Sequence, residues 1–79
     1  MKFDHKKPEL ILVFKTNLTN ENDVKDVTSW LNSADGILKW NVDLSDIDNV
    51  LRIEAYELEA IMIIQLMAAA GYSCEELQD

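Results

Sequence analysis

Cysteine and histidine, the side chains that most often bind transition metals or act as nucleophiles, occur once each, as Cys74 and His5. A lone cysteine cannot form an internal disulfide, and no basic residue follows Arg52 that could activate its thiol. His5 stands among lysines, with no second ligand at the spacing of a metal site. We therefore expect an inert, partly buried thiol at Cys74 and no metal site at His5.

Carboxylate and amide side chains come close together at Asn20, Glu21 and Asp23. Their oxygen atoms could bind a hard cation. The same residue types at this spacing also mark the start of a helix, where Asn20 would cap the first turn and Asp23 would meet the helix dipole. We favour helix capping, and we predict neither a bound metal nor another cofactor.

The sequence contains no arrangement typical of catalysis. It has no Cys-His or Ser-His-Asp set, and its two glycines, Gly36 and Gly71, do not form a phosphate-binding loop. The net charge of −8 argues against nucleic acid and against an anionic membrane surface, because both are bound through clustered Lys and Arg. We expect a protein that is not an enzyme and whose protein partner, where it has one, is basic.

Hydrophobic periodicity predicts the elements that position these residues. In the order β-α-β-β-α-β they are strands over 9–16, 37–44 and 50–55, a short last strand within 73–77, and helices over 21–34 and 57–70. The apolar run from Leu10 to Phe14 predicts a strand buried on both faces, and alternation from Leu38 to Leu44 predicts a strand with one buried face. This order is that of an α+β, ferredoxin-like split βαβ sandwich.

A chain of 79 residues is expected to form one domain. We predict a flexible N-terminal tail over residues 1–8 and a single domain over residues 9–79. The apolar run in the first strand is too short for a signal peptide or a membrane span, so we expect no membrane association and a cytoplasmic location.

Several residues fall at fixed landmarks of this topology. They are Val27, Leu31, Gly36-Ile37, Trp40, Val42, Leu44 and Gly71-Tyr72. With these landmarks, residues 9–77 resemble the heavy-metal-associated domain, the fold of small copper chaperones and of the N-terminal domains of copper-transporting ATPases. The resemblance implies a ferredoxin-like fold with a Cys-x-x-Cys metal site at the start of its first helix.

The sequence departs from that family at the metal site itself. Asn20 and Asp23 stand at the positions of the two cysteines, and Leu18 stands where the family has Met. Soft Cu(I) is bound by thiolates, so the family's metal-binding role does not carry over to these positions. The chain is identified as a divergent member of the family, free of the cysteine pair.

The second predicted helix is apolar on nearly all sides. In the family register, one face meets the sheet and comprises Ala60, Ile63, Ile64, Met67 and Ala70. The opposite face comprises Leu58, Ile61, Met62, Ala68 and Ala69. Two interpretations of this face stay open. Its residues are ordinary apolar side chains scattered over the surface, or they form a docking surface for a partner or a second copy.

The preferred interpretation is a non-catalytic protein-interaction module that docks on a partner protein or forms a symmetric homodimer. Incomplete cover of the outer edge of the first strand would also favour pairing. Two alternatives stay open. One is a metal-handling, chaperone-like protein with altered ligands drawn from His5, Glu21, Asp23 and Cys74, and the other is a small-molecule sensor domain suggested by fold analogy alone.

Overall fold

The computed structural model describes residues 10–77, which form a four-stranded antiparallel sheet and two helices. The elements are β1 (Leu10–Thr16), α1 (Glu21–Ser33), β2 (Ile37–Asp43), β3 (Val50–Ala55), α2 (Ala60–Ala69) and β4 (Cys74–Glu76). The strand order in the sheet is β2-β3-β1-β4. The predicted ferredoxin-like α+β sandwich is confirmed, and the segment after α2, where the sequence allowed a short last strand, forms β4. The predicted tail over 1–8 lies outside the described residues, as do both ends of the predicted domain.

Only one face of β1 is buried, and this corrects the expectation of burial on both faces. Leu12, Phe14 and Thr16 are buried, whereas Ile11 and Lys15 on the other face are exposed. The physical reason is that the fold has two layers, so both helices cover the same face of the sheet. An unbroken apolar run does not reveal this, because apolar residues also occur on the open face.

The hydrophobic core lies between the sheet and the helices. β1 and β3 pair in the register Leu12↔Ile53 and Phe14↔Leu51, which places these side chains on the covered face. The largest fully buried side chains are Phe14, Leu18, Val27, Leu31, Leu51, Ile53, Ile63 and Met67. Among residues 10–77, neither helix is long and apolar enough to cross a bilayer.

α2 begins at Ala60, three residues later than predicted. Glu57 has a left-handed backbone conformation (φ 52°), which a helix cannot include, so the chain turns before α2. Leu58 points into the core and is only 5% exposed, so it does not belong to the exposed face predicted from the sequence. The predicted sheet-facing side is confirmed, because Ile63 and Met67 are buried and three further members pack against the core. These are Ala60, Ile64 and Ala70.

The edge of β1 that faces away from β3 is covered only in part, as the sequence suggested. β4 pairs with the end of β1, from Phe14↔Glu76 to Thr16↔Cys74, and the Leu77 backbone N–H donates to the Val13 carbonyl. Within residues 10–77, no strand pairs with β1 on that side before Val13.

Candidate functional site

The loop between β1 and α1 is built as a helix cap. Asn20 is extended (φ −155°, ψ 177°), and its Oδ1 accepts a hydrogen bond from the Asp23 backbone N–H at 3.0 Å. Asp23 Oδ2 in turn accepts from the backbone N–H and the hydroxyl of Thr19, each at 2.9 Å. The predicted cap is confirmed, with the difference that the carboxylate reaches back to Thr19, one residue before the cap. The backbone bond from Thr19 is the main cause of a lowered Asp23 pKa.

Tyr72, which follows α2, contacts two carboxylates in the first half of α1. Its hydroxyl oxygen lies 2.7 Å from Asp26 Oδ2 and 3.1 Å from Asp23 Oδ1. The hydrogen bond to the Asp26 carboxylate is the main cause of a raised Tyr72 pKa. Sequence reasoning missed this contact, because 46 residues separate Tyr72 from Asp26 and no local spacing links them.

Asn20 and Asp23 do not fit Cu(I). Asn20 supplies an amide and Asp23 a carboxylate, and both side chains are already engaged by hydrogen bonds at the start of α1. Cu(I) prefers sulfur ligands, and the only cysteine, Cys74, lies on β4 opposite Thr16. Burial raises the pKa of the Cys74 thiol to about 12, so it is protonated at neutral pH and is a poor ligand.

The alternative metal ligands named from the sequence are not brought together. Across residues 10–77, no group of three or more His, Cys, Asp or Glu side chains is arranged to hold a metal ion. Glu21, Asp23 and Cys74 therefore form no such group, and His5 lies outside the described residues. The thiol of Cys74 is free and partly buried, as predicted.

The outer face of α2 is apolar and exposed. Ile61 and Met62 are each 50% exposed, and Ala68 and Ala69 are exposed beside them. No charged residue occurs anywhere from Ala60 to Cys74. Four of the five residues predicted for this face are thus at the surface, and its role in binding stays a prediction.

Two open grooves extend this surface across the molecule. Leu38 and Met62 line the first groove together with Asp35. Trp30 and Leu66 line the second, which lies between the two helices. Met62 of the first groove and Leu66 of the second are one helical turn apart on α2, so the two grooves are neighbours. We refer to Leu38, Met62, Leu66 and Trp30 as the apolar strip.

Leu38 was expected on the buried face of its strand, and the structure corrects this. Ile37 pairs with Ala55 and Lys39 with Glu54, so the register shifts at Leu38, which is the extra residue of a bulge. Its side chain is 41% exposed as a result. Trp30 and Leu66 were also missed, because their proximity depends on how the helices pack.

No model of a protein family matches this sequence, and no curated protein matches it. Its fold does match solved structures. The yeast copper transporter domain Ccc2A is 20% identical, with a TM-score of 0.73 over 87% of this chain and 96% of that one. The Cu(I)-loaded first domain of the human copper chaperone for SOD1 is 20% identical, with a TM-score of 0.72 over 84% of this chain and 89% of that one.

A third structure carries the domain's name. It is the apo form of the heavy-metal-associated (HMA) domain of a copper chaperone for superoxide dismutase, 19% identical, with a TM-score of 0.72 over 99% of this chain and 79% of that one. This chain has a heavy-metal-associated fold. At these identities the likeness concerns the fold alone, and the heavy-metal-associated fold here carries Asn20 and Asp23 at the first turn of α1 in place of a cysteine pair.

Proposed function

We propose that this chain is a non-catalytic protein-interaction module that has a heavy-metal-associated fold without the Cys-x-x-Cys site and that acts in the cytoplasm. The observation that carries the proposal is the pair Ile61 and Met62, both half exposed on a helix with no charged residue. A helix that is apolar on all sides is normally covered on both sides. In residues 10–77, α2 is covered only on its sheet side, so a partner protein is proposed to cover the other.

The chemistry of the surface supports binding over catalysis. Among residues 10–77, the groups with a shifted pKa are Asp23, Asp43, Tyr72 and Cys74. None of them lines either groove of the apolar strip. Both grooves are open rather than enclosed, which suits a protein surface better than a small molecule that must be buried on most sides. Because both grooves are open, a role as a small-molecule sensor is less favoured than a role in protein binding.

Site-specific photo-crosslinking tests the proposal in cells that express the chain. A photoreactive residue at Ile61 is expected to give a discrete crosslinked product. The matched control carries the same residue at Asn41, which is exposed on β2 opposite Arg52. No product from Ile61, or equal products from both positions, would contradict docking through α2.

A second copy of the chain is the other candidate for this face. It is favoured by one observation, the uncharged stretch from Ala60 to Cys74, which places no like charges at the centre of a symmetric contact. If a second copy is the occupant, sedimentation equilibrium shows a dimer that dissociates on dilution and that Ile61→Lys or Met62→Lys weakens. A monomer at high micromolar concentration leaves a different protein as the partner.

A further inference from the structure

The charged residues that line the first groove of the apolar strip are both acidic. Asp35 and Glu57 line the same groove as Leu38 and Met62, and among residues 10–77 no Lys or Arg lines either groove. Exposed Glu59 directly precedes α2. The strip is therefore an apolar surface with an acidic rim, and the net charge of −8 gives the whole chain the same sign.

The basic residues of the sheet lie on its other face. Arg52 projects away from the helices, because its neighbours Leu51 and Ile53 are buried beneath them. Lys15 and Lys39 share that open face, where they stand opposite Glu75 and Glu54 of the neighbouring strands. Two copies of the chain each carry a net charge of −8, and like charges brought together by association are unfavourable.

We propose that the apolar strip binds an amphipathic segment of another protein, with apolar residues along one side and Lys or Arg at its flanks. The apolar side chains would enter the two grooves on either side of Met62 and Leu66, and a flanking cation would meet Asp35. The side chains of Met62 and Leu66 form ridges one helical turn apart between the two grooves. This spacing suits a helical segment, whose own side chains repeat every three to four residues. The proposal rests on the proposed function, and it adds the charge and shape of the partner.

Peptide binding followed by amide chemical shifts of the ¹⁵N-labelled chain tests this chemistry. The probe is a helical peptide with Leu and Ala on one side and Lys along its flanks, and the matched peptide has Glu in place of Lys. The Lys peptide is expected to bind and to shift the amides of Leu38, Met62 and Leu66. The Glu peptide is expected to bind at least tenfold more weakly, and salt at about 1 M, where the Debye length is about 3 Å, should reduce the difference.

Three variants of the chain separate the contributions. Asp35→Asn is expected to weaken the Lys peptide about two- to fivefold, the usual effect of one exposed ion pair. Glu21→Gln removes an exposed carboxylate at the other end of α1 and should leave binding unchanged. Met62→Lys should abolish binding while its own amide spectrum stays dispersed, which shows that the fold is kept.

Equal binding of the two peptides, shifts confined to other surfaces, or no binding of either peptide at millimolar concentration would overturn the inference. A symmetric dimer formed through the strip would overturn it as well, with a second copy as the occupant. These failures are distinguishable from failure of the proposed function. A crosslinked partner at Ile61 whose contacting segment is acidic would keep the interaction module and reject the basic segment.

Discussion

At the start of α1, two oxygen-bearing side chains stand where the heavy-metal-associated pattern has its cysteines. Asn20 and Asp23 satisfy backbone N–H groups that have no partner within the helix, and this is a structural task. A thiolate pair could bind Cu(I) at these positions but would cap the helix poorly. Asn20 and Asp23 thus stabilise the start of the helix, and neither position offers a thiolate to Cu(I).

Replacing Asn20 by Ala is expected to lower the free energy of unfolding by about 1 kcal/mol, the usual effect of losing an N-cap. Urea unfolding monitored by circular dichroism measures it. Asn22→Ala is the matched control, because Asn22 is an exposed asparagine inside the first turn of α1 and should tolerate alanine. An unchanged midpoint for Asn20→Ala would mean that another residue, such as Thr19, caps the helix.

Cu(I) is expected to bind weakly, because no thiolate pair is present. Titration of the reduced protein with Cu(I) in competition with a chelator should leave the metal on the chelator. Cys74→Ser should give the same curve, since the Cys74 thiol is protonated and partly buried. Stoichiometric, tight binding that survives Cys74→Ser would refute both this expectation and the purely structural role of Asn20 and Asp23.

Asp23 is expected to make stability depend on pH. Hydrogen bonds from Thr19 lower its pKa in the folded state, so its contribution is complete above about pH 4, where the unfolded carboxyl is ionised. The contribution is lost as the pH falls through the lower, folded-state pKa. The stability difference between wild type and Asp23→Asn should thus be larger at pH 7 than in strong acid.

At the scale of the elements, the turn between α1 and β2 determines how the apolar strip is assembled. Gly36 has a φ of +94°, and a Cβ there would lie 2.8 Å from the Tyr56 carbonyl oxygen. The Gly36 carbonyl also accepts a hydrogen bond from the Tyr56 backbone N–H. This close approach brings the start of β2 against the segment before α2, so that Leu38 and Met62 line one groove.

Gly36→Ala is expected to be clearly more destabilising than Gly71→Ala. Both residues have a left-handed φ, which costs alanine about 1 kcal/mol or more. Only Gly36 adds a steric clash, because a Cβ at Gly71 would meet nothing within 4 Å. Thermal unfolding of the two variants compares them directly. Equal losses of stability would show that the Gly36–Tyr56 contact is not tight in solution.

At the scale of the whole molecule, two layers leave two different surfaces. The open face of the sheet carries Lys15, Lys39 and Arg52, whereas the helix side carries the uncharged face of α2. Residues 10–77 form no third layer that covers the outer side of α2. The asymmetry of the fold therefore creates the surface on which the proposed function rests.

Substitutions on opposite sides of α2 should separate surface from core. Ile61→Lys and Met62→Lys are expected to change the free energy of unfolding by about 0.5 kcal/mol or less, as is usual at exposed positions. Ile63→Lys should unfold the domain, because Ile63 is 1% exposed and a lysine there would bury an unpaired charge. Amide spectra distinguish the folded from the unfolded variants. If Ile61→Lys unfolded the domain, Ile61 would belong to the core and not to the exposed face of α2 beside the apolar strip.

Local information in the sequence was sufficient for the element order, the α1 cap and the sheet-facing side of α2. Each of these features involves residues within a few positions of one another. They are the alternation of side chains in a strand, the helical repeat and the hydrogen bond from the Asp23 backbone N–H to Asn20. The landmarks from Val27 to Tyr72 extended this to the heavy-metal-associated fold, which solved structures confirm.

Only the tertiary structure decided which surfaces are open. The single buried face of β1 depends on both helices lying on one side, and the exposure of Leu38 depends on a bulge against β3. Tyr72 and Asp26 are distant in the sequence, so no local pattern predicts their contact. Leu58 enters the core because the chain turns sharply before α2. Such features depend on how whole elements pack against each other, and hydrophobic periodicity carries no information about that packing.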